Sequence, residues 1–379
     1  MIPLSVPNIS SDELEYVKNC IETGWISSAG SYVDEFESKF SEYLGVQDSV
    51  SVVNGTAALH LSLKILGVRR NDLVIMPNVT FVASANAISY IGADPVLIDI
   101  NEDDWQMDIS LLDQFLSDQC QKNKRGDLIH LQSSRRVSAI MIVHVQGNIC
   151  DMDKLLYICE KYNIPVLEDA AEALGSSYKN NHAGTMGDIG CFSFNGNKII
   201  STGGGGMIVS SNSDFTKKAK HLSTTAKVDP LTYYHDEVGY NYRLVNVLAA
   251  IGVAQLKKLE AFKEKKIQIS SNYRKSLSGI ADIGFQEIKS DVISNEWLFT
   301  ITTNSMHKLL SYLNNNGVMS RPFWIPMNEL PMYQDCLYVS SDNISSQIHQ
   351  KALSIPCSTG ISNLEIEEVI EKIKLFFES

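Results

Sequence analysis

Short apolar runs alternate with stretches of helical spacing through the first half of the chain. Residues 49–53 read as a buried strand, and 56–66 carry the apolar repeat of the helix that follows. The same alternation predicts strands at 73–76 and 95–99, with a helix over 81–91 between them. It continues with a strand at 139–145, a helix over 152–162, and short strands at 166–167, 189–194 and 207–209. Strands separated by helices predict crossover units, hence an α/β fold with a mainly parallel sheet flanked by helices. In such sheets ligands sit beyond the carboxyl ends of the strands. Asn54-Gly55-Thr56, Asp169 and the stretch 195–198 fall there.

Two segments break the alternation. Residues 117–136 are polar and basic, with Lys122, Lys124, Arg125, Arg135 and Arg136, and read as a surface insertion. Residues 245–275 read as one long helix, linking a large domain to a smaller one. The expected division is 1–261 for the large ligand-binding unit with its N-terminal segment, and 262–379 for a smaller C-terminal α/β unit. A chain of 379 residues accommodates both.

Composition narrows the function classes. The net charge is −12 with no basic block, which argues against a nucleic-acid partner. No run approaches the roughly 18 apolar residues of a spanning helix, so no membrane partner is expected. The first residues, Met1-Ile2-Pro3-Leu4-Ser5, lack the basic start and apolar core of a signal peptide, and a cytoplasmic location follows as an expectation. Seven cysteines are scattered without a C-x-x-C pair, so neither a metal site nor a disulfide framework is expected.

The candidate chemistry centres on Lys198. It ends Gly190-Cys191-Phe192-Ser193-Phe194-Asn195-Gly196-Asn197-Lys198 and precedes Gly203-Gly204-Gly205-Gly206. Upstream, Asp169 closes an apolar run within Glu168-Asp169-Ala170-Ala171-Glu172. A lysine that bonds the aldehyde of pyridoxal 5'-phosphate (PLP) needs a carboxylate for the pyridinium nitrogen. Asn54-Gly55-Thr56-Ala57 joins a strand to a helix, where glycine permits close approach and the helix start presents free amides to a phosphate; an ordinary helix cap is the plainer reading. Phe81 opens the next helix and is either a ring-stacking aromatic or a core residue. Gly239-Tyr240-Asn241-Tyr242-Arg243 is a polar turn or a binding segment. Arg321 of Arg321-Pro322-Phe323-Trp324 either grips a diphosphate bidentately or pairs on the surface.

Taken in order, these motifs resemble the DegT/DnrJ/EryC1/StrS sugar aminotransferases, PLP enzymes of fold type I. The resemblance also rests on Gly24-Trp25-Ile26-Ser27-Ser28, Gly92-Ala93-Asp94-Pro95, His144 with Gly147, and Gly187-Asp188. It implies PLP as cofactor, with Lys198 as the Schiff-base lysine and proton shuttle and Asp169 as pyridinium partner. It implies Phe81 stacked on the ring and Glu172 near the ring hydroxyl. Gly55, Thr56, Ala57, Ser193 and Asn195 would surround the phosphate and the lysine. Asn241 would reach the phosphate from a neighbouring subunit, hence a homodimer with shared active sites. Trp25, Ser27, Tyr242, Arg243 and Arg321 would serve the substrate.

Within the family the motifs look most like the branch that transfers the amino group of L-glutamate to a nucleotide-linked 4-keto-6-deoxy sugar. UDP-2-acetamido-2,6-dideoxy-4-keto-hexose is the first expectation, for surface glycans of the legionaminic acid or bacillosamine type. GDP-4-keto-6-deoxymannose, as in perosamine synthases, and dTDP-sugars are alternatives. Gly204 and Gln146 depart from residues common in the family, glutamate and an aromatic respectively, and both bear on sugar choice. Family dehydratases carry histidine in place of the lysine, which Lys198 argues against. A PLP-binding regulatory protein is the non-enzymatic alternative.

Overall fold

The computed structural model describes residues 1–229 and 231–378. All seven strands expected between 49 and 209 form, and they lie in one eight-stranded sheet. Across it the strands run Asp48–Val52, Gly206–Ser210, Ile189–Ser193, Val166–Asp169, Val137–Val143, Leu73–Pro77, Asp94–Ile98 and Leu337–Val339. Only Gly206–Ser210 runs against its neighbours. Side chains alternate across the sheet. Ile75, Val96, Ile98, Ile140 and Ile142 enter one buried layer, and Val74, Met76, Leu97, Ala139 and Met141 the other. Burial on both faces explains why these strands are near-continuous apolar runs.

The helices between strands are punctuated as their sequences direct. Asp151 caps Met152–Tyr162 by accepting from the Lys154 N–H, and Asn163 ends it in the left-handed region at φ 55°. Asn54 caps Gly55–Ile65 by accepting from the Ala57 N–H at 2.7 Å. The strand expected to reach 145 stops at Val143. Beyond it Gln146 takes a left-handed backbone, φ 59°, which turns the chain out of the sheet.

Three features depart from the sequence reading or add to it. The long helix expected over 245–275 is two helices, Asn246–Leu256 and Leu259–Leu277. At the break the Lys258 N–H bonds to the Gln255 carbonyl, three residues back, and the Lys258 ammonium is drawn to Glu13 at 2.7 Å. The insertion at 117–136 is tied down rather than loose. It pairs Cys120–Lys122 with Leu128–His130, and its Arg135 and Arg136 bind Asp94 and Asp72. Strand Leu337–Val339, from the C-terminal third, joins the edge of the large sheet beside Asp94–Ile98.

The remaining C-terminal residues build a separate antiparallel sheet of Gly284–Phe285, Phe299–Thr302, Ala352–Ile355 and Arg321–Pro322. Helices Leu259–Leu277, Met306–Asn315 and Asn363–Glu378 contribute to its apolar core. Ser379, the last residue of the expected small unit, lies outside the described residues. No helix among the described residues is long and apolar enough to cross a membrane.

Candidate active site

A cavity of about 460 Å³ opens beyond the carboxyl ends of the large sheet's parallel strands. Four strand ends supply its floor. Asn54, Gly55 and Thr56 follow the first strand, and Thr80, Phe81 and Ser84 follow Leu73–Pro77. Asp169 and Glu172 follow Val166–Asp169, while Ser193, Asn195 and Lys198 follow Ile189–Ser193. Trp297, Arg321, Trp324 and Ser354 close it from the C-terminal part of the chain. This is the place where a parallel α/β sheet gathers ligands.

Asp169 is almost fully buried and accepts two hydrogen bonds, from Ser84 Oγ at 2.7 Å and from the Ala171 N–H at 3.1 Å. Burial pushes its pKa up, partly offset by Ser84, the Ala171 amide and the Lys198 charge. Glu172 is equally enclosed, and burial raises its pKa to about 7. It accepts from the Gln146 N–H at 2.8 Å and lies 3.8 Å from Lys198 Nζ. The Lys198 pKa is lowered by burial, against the pull of Glu172 and Asp169. A lysine desolvated in this way carries a larger fraction of neutral, nucleophilic amine at a given pH.

The helix start at Gly55 meets Ser193 closely. A Cβ on Gly55 would lie 2.8 Å from the Ser193 Cβ, so glycine is what lets the two approach. Together Gly55, Thr56 and Ser193 form a polar cradle at the positive end of an 11-residue helix.

Of the residues expected from sequence, Gly55, Thr56, Phe81, Asp169, Glu172, Ser193, Asn195, Lys198 and Arg321 line this one cavity. Gly204 and Gln146 line it too. Ala57 lies just behind, its N–H already taken by Asn54. Trp25, Ser27, Asn241, Tyr242 and Arg243 are not brought to the cavity within one chain. Trp25 and Ser27 are exposed, and their carbonyls accept from Asn246 at 2.7 Å each. Asn241 is exposed and bridges to Thr224. Tyr242 stacks on Tyr240 at 5.0 Å, and Arg243 sits 3.6 Å from Asp34 and 3.8 Å from Glu37.

Sequence reasoning missed Ser84, the hydroxyl that orients Asp169, and Trp297. A serine one turn into a helix whose first residues look functional was a usable signal for Ser84. Trp297 had none, because its approach depends on how the C-terminal segment packs.

A buried carboxylate with few donors, a desolvated lysine and an anion cradle in one cavity are the parts a PLP-dependent transferase requires. Comparisons with known proteins agree. The model of the DegT/DnrJ/EryC1/StrS aminotransferase family matches residues 7–374. GDP-perosamine synthase of Escherichia coli O157:H7 is 35% identical over 99% of this chain and 98% of its own. UDP-4-amino-4,6-dideoxy-N-acetyl-beta-L-altrosamine transaminase of Campylobacter jejuni (strain 81-176) is 32% identical over 94% of this chain and 92% of its own. A Streptococcus pneumoniae protein solved in its PLP form superposes with a TM-score of 0.89 at 25% identity, covering 100% of this chain and 98% of that one. The chain belongs to the DegT/DnrJ/EryC1/StrS aminotransferase family, and it is a PLP-dependent sugar aminotransferase of the α/β fold type I class.

Proposed function

We propose that the chain moves the amino group of L-glutamate to the 4-keto carbon of a nucleotide-linked 4-keto-6-deoxy sugar. The observation that carries this reading is the convergence of Lys198, Asp169 and Glu172 in one cavity whose outer wall holds Arg321 and Trp324. Lys198 would hold PLP, with Asp169 at the pyridinium nitrogen and Phe81 against the ring. Gly55, Thr56 and Ser193 would take the phosphate, with Glu172 near the ring hydroxyl and Asn195 beside the lysine.

When bound, PLP supplies the electron sink. The protein supplies the proton handling. Lys198 Nζ, lowered in pKa by burial, takes the proton from the donor's α-carbon and later returns one to the sugar carbon. Glu172 Oε1, 3.8 Å from Nζ, moderates that charge. Burial pushes the Asp169 pKa up, and a cation placed opposite it pulls the other way, as Ser84, the Ala171 amide and Lys198 already do. A pyridinium is such a cation. Arg321, at the cavity mouth, suits a diphosphate.

Asn241 is exposed beside a run of exposed apolar residues, Val228, Leu231, Tyr233, Tyr234 and Val238. A second copy covering this surface would bring Asn241 to the neighbouring phosphate and explain why Tyr242 and Arg243 stand outside the single-chain cavity. The expected division near 261 serves this reading, with the large unit holding PLP and the small one closing the cavity.

The UDP-linked 2-acetamido sugar is the first substrate to test. The higher identity to the GDP-perosamine synthase supports a GDP-linked sugar as second reading. The test is an amine-transfer assay by mass spectrometry with glutamate and UDP-, GDP- and dTDP-linked 4-keto-6-deoxy sugars. Preference for the GDP sugar replaces the UDP reading, and no transfer to any of them removes the sugar assignment.

A further inference from the structure

Trp297 touches the lysine through two separate contacts. Its ring centroid lies 3.9 Å from Lys198 Nζ, and its indole N–H donates to the Asn197 carbonyl, the residue before that lysine, at 2.7 Å. The ring is held firmly. Its own backbone N–H donates to Asn295 Oδ1 at 2.9 Å, and its carbonyl accepts from the buried Lys266 Nζ at 2.7 Å. Asn295 in turn donates to the Glu172 and Leu174 carbonyls at 2.8 and 2.9 Å. Trp324 stacks nearly parallel to the indole ring at 17° with centroids 6.3 Å apart. A ring 3% exposed, with its N–H bonded and its backbone pinned on both sides, is not a mobile filler.

The face of an indole attracts an ammonium, and more strongly where water is excluded. Burial works in the opposite direction on Lys198, and the other charges lining the cavity are Glu172 at 3.8 Å, Asp169, and Arg321 on the wall formed by C-terminal residues. A lysine that shuttles protons must be stable both bare and protonated. We propose that Trp297 is a positioning residue that receives the Lys198 ammonium on its ring face and fixes the preceding peptide, so that the lysine keeps its proton within the cavity between the two proton transfers. This rests on the aminotransferase reading but not on the identity of the sugar.

The test reads Lys198 directly. The full-length chain, cofactor-free and loaded with pyridoxamine phosphate, is acetylated with acetic anhydride across a pH series. Mass spectrometry of the Lys198 peptide gives the pH midpoint of its reactivity. Trp297→Leu removes ring and N–H, and its midpoint falls by about one unit. Trp297→Phe keeps an aromatic face, and its midpoint falls less, while turnover recovers most of what Trp297→Leu loses. An unchanged or raised midpoint in Trp297→Leu overturns the proposal. Should that variant not fold, Trp297→Phe decides alone: a lower midpoint supports the role and an unchanged or higher one overturns it. No sugar enters the titration, so its outcome is separate from that of the substrate panel.

Discussion

The loop behind Glu168 and the cavity in front of Asp169 meet at the end of one strand, and they treat a buried carboxyl group in opposite ways. Glu168 has no exposed surface and is saturated: its oxygens accept from the backbone N–H groups of Gly184, Met186 and Gly187, and His144 Nε2 lies 2.9 Å away. Asp169, next in sequence, has Ser84 and one amide. Glu172 has one amide and a lysine at 3.8 Å. A saturated carboxylate fixes a loop, whereas one left short of partners under the same burial is held for something that arrives later. Burial alone therefore does not mark a functional acid in this protein; unmet electrostatic demand does.

The comparison can be broken most sharply on the cavity side. Lys198→Ala removes both the attachment point and the proton carrier, so formation of 2-oxoglutarate from glutamate falls by more than about 10⁴-fold. Retained steady-state transamination would sink the assignment. Asp169→Asn keeps the shape but not the charge, and should cost roughly 10²–10³-fold in kcat with folding preserved, read from turnover beside a circular dichroism melt. Equal activity would mean that Asp169 is as structural as its neighbour.

On the other side, Glu168→Gln should lower stability by about 1–3 kcal/mol, because amide donors of the 184–187 loop lose their charged acceptor. Denaturant unfolding measures this, and turnover per folded molecule should be largely kept. If activity collapses while stability holds, the two regions are not distinct. The smallest effect concerns pH. Glu172 has its pKa raised by burial from 4.5 to about 7, so between those values the folded cofactor-free chain binds more protons than the unfolded one. Stability then declines as pH rises through that window. Glu172→Gln should flatten the decline, seen as a smaller spread of melting temperatures between about pH 5 and 7.

Much of this architecture was legible because apolar runs ended at the residues that matter. Val52, Asp169 and Ser193 each close a buried strand, so the apolar pattern alone places Asn54-Gly55-Thr56, Asp169 and Lys198 on one rim. What was not legible came from packing between distant segments. Trp297 lies a hundred residues beyond Asn197, and only the seating of the C-terminal sheet brings them together. Gln146 was noticed as a departure, but its left-handed backbone and its bonds to Glu172 and Thr300 follow from the turn out of Val137–Val143. The break at Lys257-Lys258 was hidden because helical spacing continues across it, and the ion pair with Glu13 that accompanies it is long-range. Trp25 and Ser27 rest on family resemblance, and Asn241, Tyr242 and Arg243 on a segment that reads equally as a polar turn; one chain brings none of them to the cavity.

The strand Leu337–Val339 sets the order in which the protein can be completed. It pairs with Asp94–Ile98, which until then has an unpaired edge. On a ribosome that edge must wait until the chain has emerged past Val339. During synthesis Asp94–Ile98 offers its bare backbone groups to any other extended segment, the usual start of misassembly. A chain cut near 320 would keep Lys198, Asp169 and Glu172 yet lose this strand, together with Ala352–Ile355 and Asn363–Glu378 of the small core, and should be recovered as aggregate rather than as a weakened enzyme.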